Sequence, residues 1–129
     1  MSDATIVADA SAVLALLKRE PFDGFEPTRL FRTTISAVNL SEVLEQLCAG
    51  GLNELEAHAA VAELDLRVVD FDELQARLTA HLRLRTAAAG LSLGDRACLA
   101  LGLVLGCPVV TADRAWASLD VRVKVVLIR

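Results

Sequence analysis

Short apolar runs alternate with segments of helical periodicity along the whole chain, and this alternation most constrains the fold. The runs lack a strict apolar/polar alternation, and two of them lead into an aspartate, in TIVAD and PVVTAD. Strands buried on both faces have this pattern, and the helices between them cover both faces of a parallel sheet. The pattern predicts an α/β fold in which helices flank a central, mostly parallel five-stranded sheet.

The predicted strands are Thr5–Ala8, Arg32–Ala37, Leu66–Val69, Pro108–Thr111 and Val121–Ile128. The predicted helices, placed from apolar spacing and from Gly and Pro stops, are Ser11–Arg19, Asn39 to Leu47, Asn53 to about Leu64, Asp72 to about Arg85 and Leu93–Leu105, with a short turn near Ala115. A chain of 129 residues suits one core, so we expect a single domain over residues 1–129.

Composition excludes several classes of protein. No apolar stretch is long enough for a membrane span and no signal peptide is recognisable, so a cytoplasmic protein is expected. Cys48, Cys98 and Cys107 have neither zinc-binding spacing nor an even count, and they are expected to be reduced, mostly buried thiols. A net charge of −4 argues against holding nucleic acid by bulk electrostatics, although it allows a local basic surface.

Four acids are expected at one edge of this sheet. Asp9 and Asp113 follow the first and fourth strands, and Glu42 and Asp95 lie near the starts of two helices. If the chain winds outward through strands one to three and returns with strand four beside strand one, a crevice opens between strands one and four. Ligands of parallel α/β proteins bind at such a switch point, outside the carboxyl ends of the strands.

Each acid also has a structural explanation, because acids cap helices and complement the helix dipole. The candidate caps are Asp9 or Ser11 for the first helix, the capping boxes Asn39-x-x-Glu42 and Ser92-x-x-Asp95, and Asp113 for the short turn. Asp70 and Asp72, after the third strand, are acids of the same kind and are not expected to be catalytic.

Several carboxylates in one crevice repel each other unless a positive charge neutralises them. No lysine lies near the four acids in the sequence. A divalent cation is the natural counter-charge, and ligands that are all oxygen favour Mg²⁺ or Mn²⁺ over zinc. Such a site can activate water and stabilise an in-line phosphoryl displacement.

Four segments of the sequence resemble the PIN-domain ribonucleases, and more narrowly the VapC-type toxins of type II toxin–antitoxin pairs. They are VADASAVLALL, ISAVNLSEVL, LSLGDRACLALG and VTADRAW, in the order of the family. The resemblance implies a PIN fold and a metal-dependent endoribonuclease that cleaves RNA, with transfer RNA or ribosomal RNA as substrate.

The resemblance also implies roles for individual residues. Asp9, Glu42, Asp95 and Asp113 would form the acidic site. Asp9 and Asp95 would bind Mg²⁺ or Mn²⁺ directly, while Glu42 and Asp113 would complete the pocket directly or through water. The supporting residues would be Ser11 and Thr111, by hydrogen bonds, and Arg114, by contact with a phosphate; Trp116 matches less securely and is more often a hydrophobic plug.

The resemblance further implies a small VapB-type antitoxin as partner and a homodimer. The antitoxin would lie in an apolar groove. Apolar residues of the first helix and of the segment after it are candidates for that groove and equally for the core; they are Leu14, Leu17, Phe22, Phe25 and Leu30.

Two other classes remain as alternatives. A non-enzymatic, metal-dependent binding module of the von Willebrand A type carries Asp-x-Ser-x-Ser after its first strand, but here the second serine is Val13. Phosphatases of the haloacid dehalogenase type carry Asp-x-Asp, and Ser11 replaces the second aspartate. Receiver domains need a lysine after a late strand, whereas Lys124 lies within the predicted fifth strand.

Overall fold

The computed structural model describes residues 5–129, so residues 1–4 of the predicted domain lie outside the described residues. The strands are β1 (Val7–Ala8), β2 (Thr34–Ser36), β3 (Arg67–Val69), β4 (Val109–Thr111) and β5 (Val125–Leu127). The α-helices are α1 (Ala10–Leu17), α2 (Ala37–Ala49), α3 (Glu54–Ala62), α4 (Glu73–Thr86) and α5 (Leu93–Leu105). Short 3₁₀ turns span Pro27–Leu30, Ala87–Ala89 and Arg114–Ser118. Within residues 5–129, no helix combines the length and apolar content needed to cross a bilayer.

The five strands form one sheet in the order β3-β2-β1-β4-β5, and every neighbouring pair is parallel. The chain winds outward from β1 to β3 and then returns to place β4 on the other side of β1. Ala8 of β1 lies beside Val110 of β4. The switch point is therefore between β1 and β4, as the sequence predicts.

The core lies on both faces of the sheet, because successive strand residues point to opposite sides. Val7 and Val109 pack in one cluster, with Leu99 and Trp116. Ala8 and Val110 pack in the other cluster, with Val13, Ile35 and Val43. This division confirms the predicted α/β architecture, with helices on both faces of the sheet.

Some residues that the sequence leaves open between groove and core are settled by burial. Phe25 and Leu30 are buried and belong to the core. Leu14, Leu17 and Phe22 pack against this core but are only partly buried, so part of each side chain remains exposed. The expectation of mostly buried thiols is wrong in part, because Cys98 is buried, Cys107 is half-buried and Cys48 is exposed on α2.

The start of α2 differs from its prediction. The helix begins at Ala37 rather than Asn39, because Ser36 ends β2 and also caps the helix, accepting a hydrogen bond from the Val38 amide at 3.2 Å. Strand and helix join without a loop. Asn39 therefore lies inside the helix, and Asn39-x-x-Glu42 is not a capping box. The predicted capping box of Ser92 and Asp95 is present at the start of α5.

All five strands are shorter than predicted, and β3 and β4 each begin one residue later than expected, at Arg67 and Val109. β1 begins at Val7 rather than Thr5. β2 begins only at Thr34, because Arg32 adopts a positive φ of 60° that no strand residue takes. β5 begins only at Val125, because its neighbour β4 starts at Val109, which pairs with Val125. The Lys124 carbonyl oxygen still accepts from the Val109 amide at 2.9 Å, and the pairing with β4 goes no further back along the chain.

Gly102 of α5 allows this helix to lie close against β4. A Cβ atom at Gly102 would come within 2.6 Å of Val109 Cγ1 and 2.9 Å of Val123 Cγ2. We expect Gly102→Ala to lower the free energy of unfolding, because overpacking costs about 1–3 kcal/mol. Urea denaturation measures this, with Gly50→Ala as the control, since the nearest atom to a Cβ there is 3.4 Å away. Equal stability of Gly102→Ala and the wild type would contradict close packing here.

Candidate functional site

Asp9 lies at the centre of the switch point. It is the residue after β1, and its side chain caps α1 by accepting from the Ala12 amide at 2.9 Å. Only 4% of its surface is exposed. The carboxylate is therefore held at the junction of β1, α1 and β4, with little contact with water.

Two hydroxyl groups hold this carboxylate. Thr111, the last residue of β4, donates to Asp9 Oδ2 at 2.6 Å, and Ser11 donates to both carboxylate oxygens at 2.8 and 2.9 Å. The same hydroxyl oxygens accept backbone N–H groups of the loop after β4: Ala112 bonds to Ser11 at 2.9 Å and Asp113 bonds to Thr111 at 3.0 Å. Each hydroxyl has one proton, and its bond to Asp9 is shorter than the 3.2 Å between the Ser11 and Thr111 oxygens, so both hydroxyls point toward the carboxylate.

Burial raises the pKa of Asp9 from 3.8 to about 6. The hydrogen bonds from Thr111, Ala12 and Ser11 act in the opposite direction, and the charge of Asp95 adds to the increase. Desolvation therefore dominates over three hydrogen bonds, and an ionised Asp9 would be stabilised by any cation placed beside it.

Glu42 and Asp95 reach the same region from α2 and α5. The carboxylate of Glu42 lies directly over Gly94, where a Cβ atom would overlap both carboxylate oxygens. Asp95 Oδ2 accepts from the Ser92 amide at 3.0 Å in the capping box. Both acids are partly exposed, so their remaining oxygen lone pairs can face a ligand.

Cys98, one turn further along α5, identifies which acids lie close together. Burial raises the pKa of its thiol well above the usual value, and the charges of Asp9, Asp95 and Glu42 raise it further. All three carboxylates are therefore near enough to this buried thiol to act on it electrostatically. The sequence predicts four acids at this edge of the sheet, and these are three of them.

Asp113 has a more peripheral position. It is exposed and caps the 3₁₀ turn by accepting from the Ala115 amide at 3.0 Å. Its backbone is tied to Asp9 through the Thr111 hydroxyl. Arg114 is exposed at the start of this turn, while Trp116 is buried to 1% exposure as a hydrophobic plug.

The residues at this site fit a divalent cation by their chemistry. The ion pairs found in residues 5–129 are Arg77–Glu73 and Arg129–Glu20, so none involves the acids of the switch point. Arg96, next to Asp95 in sequence, donates instead to the Thr79 carbonyl oxygen at 2.8 Å. In the same part of the chain, no three His, Cys, Asp or Glu side chains are already arranged as a metal site. The donor set suits Mg²⁺ or Mn²⁺, and the carboxylates would have to converge on the ion.

Two residues at the site are missed by sequence reasoning about function. Asn39 donates from Nδ2 to Glu42 Oε1 at 2.8 Å and to the Gly94 carbonyl oxygen at 2.9 Å. Gly94 leaves the space that the Glu42 carboxylate occupies. The signal for Asn39 was the spacing to Glu42, which also fits a capping box; Gly94 gave no local signal.

The protein has a parallel sheet flanked by helices, and the switch point of this sheet carries carboxylates that have no cationic partner among the described residues. These features are those of an α/β protein with an acidic site at the carboxyl ends of its strands. The chain belongs to the PIN domain family, whose profile matches residues 6–122. No curated protein matches the sequence.

Several solved structures share the fold. DNA-bound VapBC from Salmonella typhimurium is similar over 98% of this chain and 100% of its own, with a TM-score of 0.76 and 20% identity. VapBC-5 of Mycobacterium tuberculosis, from a family of toxin–antitoxin systems, has a TM-score of 0.67 and 24% identity over 98% of this chain and 99% of its own. VapC20 of Mycobacterium tuberculosis, a sarcin–ricin-loop-cleaving toxin, has a TM-score of 0.69 and 20% identity over 93% and 99%.

Proposed function

We propose that this protein, as a single PIN domain, is the toxin of a type II toxin–antitoxin pair and a Mg²⁺- or Mn²⁺-dependent endoribonuclease. The observation that carries the proposal is a buried Asp9 at the switch point with Glu42 over Gly94, next to Asp95, and none of the three acids in an ion pair within residues 5–129. A buried carboxylate without a cation beside it lowers the free energy of unfolding. Groups of this kind occur at functional sites, and ligands of parallel α/β proteins bind at the switch point.

The roles follow from the positions of the side chains. Asp9 and Asp95 would hold the cation directly, and Glu42 and Asp113 would complete the site directly or through water. Ser11 and Thr111 keep the Asp9 carboxylate in one orientation. When bound, the cation supplies charge neutralisation and activation of water for hydrolysis of a phosphodiester.

Arg114 is proposed to contact a phosphate of the RNA. It is exposed and adjoins Asp113, so its guanidinium can reach a strand that lies across the site. Transfer RNA and ribosomal RNA are the proposed substrates, and the similarity to a toxin that cleaves the sarcin–ricin loop supports the second. The protein is proposed to act in the cytoplasm, where these RNAs are found.

The proposed partner is a VapB-type antitoxin, because similar folds occur in VapBC toxin–antitoxin structures. Leu14, Leu17 and Phe22 are partly exposed and are the proposed apolar contacts for it. A homodimer is proposed on the same similarity.

Purified, antitoxin-free protein is expected to cut total RNA into discrete fragments with Mg²⁺ or Mn²⁺, and to leave it intact with EDTA. The cation is needed because it neutralises the carboxylates, which otherwise repel each other, and the charge that develops on the phosphate. Gel electrophoresis and sequencing of the fragment ends measure the result. Metal binding by calorimetry without cleavage of any RNA would contradict the enzyme and favour a metal-dependent binding module.

A further inference from the structure

We propose that Asn39 and Gly94 together position the Glu42 carboxylate for the cation, an inference that rests on the proposed function. We call these two residues the Glu42 latch. Asn39 supplies a hydrogen-bond donor on one side of the carboxylate, and Gly94 supplies space on the other side. Neither residue would touch the cation, so both act through Glu42.

The orientation of the Asn39 amide is fixed by its neighbours. Nδ2 has two hydrogens and meets two acceptors, Glu42 Oε1 at 2.8 Å and the Gly94 carbonyl oxygen at 2.9 Å. A rotated amide would turn its oxygen toward both acceptors, which is repulsive. The amide therefore links α2 to the first turn of α5 and holds one oxygen of Glu42.

Asn39 is poorly explained as a residue that serves stability alone. It is 1% exposed, and its Oδ1 atom is buried without a hydrogen-bond partner in the described part of the chain. An unpaired buried oxygen lowers stability, and an apolar side chain of the same shape would avoid this cost. Polar groups retained at such a cost occur at functional sites.

Gly94 confines the same carboxylate from the side of α5. The three nearest neighbours of a Cβ atom at this position would be Glu42 Oε1, Oε2 and the carboxyl carbon, and it would overlap all three. These atoms are the far end of a flexible side chain, which would have to move to make room. Alanine at position 94 would therefore leave the helix intact, since alanine favours helix over glycine, and would displace the carboxylate.

Titration of Mn²⁺ into the full-length protein tests the latch. Asn39→Leu and Gly94→Ala are each expected to weaken Mn²⁺ binding about 10–100-fold, which is the usual effect of losing a group that orients a metal ligand. The melting temperature in EDTA is expected to be no lower than that of the wild type, whereas a purely structural role would lower it. Glu42→Gln serves as reference, and Gly50→Ala, far from the site, as the matched glycine control.

The double variant separates the latch from the proposed function. If Asn39 acts through Glu42, Asn39→Leu is expected to cause no further loss in a Glu42→Gln background. Unchanged Mn²⁺ binding by Asn39→Leu and Gly94→Ala, beside weakened binding by Glu42→Gln, would overturn the latch alone. Unchanged binding by Glu42→Gln itself would overturn the place of Glu42 in the proposed site, and the latch with it.

Discussion

Asp9→Asn is expected to reduce metal-dependent RNA cleavage by about 10³-fold or more, because it removes the buried charge at the centre of the site. Asparagine has the same shape, and its oxygen can still accept from the Ala12 amide, but its Nδ2 replaces the oxygen that accepts from Thr111. A thermal melt that shows a folded variant assigns the loss to chemistry rather than to unfolding. Asp95→Asn is expected to act in the same direction. Fragment yield against time, measured with Mn²⁺, gives the rate.

Asp70→Asn provides the matched control for this experiment. Asp70 also follows a strand at the same edge of the sheet, but that strand is β3, at the margin rather than at the switch point. It is exposed, and the variant should cleave at the wild-type rate. Full activity of folded Asp9→Asn would refute the assignment of the site.

The second large effect concerns stability: the free energy of unfolding of the metal-free protein is expected to fall as the pH rises. Burial raises the pKa of Asp9 from 3.8 to about 6, so between these two values the folded chain keeps a proton that the unfolded chain loses. Stability from this group is therefore complete below about pH 4 and is lost as the pH rises through about 6. At about 1.4 kcal/mol per pKa unit, the full loss is about 3 kcal/mol.

Denaturation of the wild type and Asp9→Asn in EDTA, from pH 4 to pH 8, isolates this group from other titrating acids. The variant should gain stability relative to the wild type as the pH rises, and the difference should level off above about pH 6. At pH 8, Mn²⁺ should then stabilise the wild type and leave Asp9→Asn nearly unchanged, because binding to the folded state alone raises stability. Parallel pH profiles for the two proteins would show that Asp9 is not desolvated.

The sheet and its switch point could be predicted from the sequence because local patterns of apolar and polar residues indicate both. Apolar runs without alternation indicate buried parallel strands, and right-handed crossovers leave few possible strand orders. An acid after the first and fourth strands was therefore enough to place Asp9 and Asp113 at one edge. Chain pattern could not tell how deep each acid lies, and burial separates Asp9 from Asp113.

The latch could not be predicted because its signals are ambiguous or absent at the level of sequence. A spacing of three residues between Asn39 and Glu42 fits a capping box as well as a hydrogen bond within a helix. Only the direct passage from β2 into α2, through Ser36, decides between them. Glu42 and Gly94 are 52 positions apart in the chain, on α2 and α5, and no periodicity of the sequence encodes their approach.

The hydrogen bond between Thr111 and Asp9 spans 102 positions of the chain, and the bond between the Ala112 amide and Ser11 spans 101. During synthesis, β1 is made about 100 residues before β4, so the Asp9 carboxylate has no hydroxyl from β4 until Thr111 has been made. Contacts this far apart in sequence form late, because a long loop must first close. A nascent chain that has not reached Thr111 therefore carries Asp9, Glu42 and Asp95 without an assembled site, and the proposed activity would require synthesis to pass that residue.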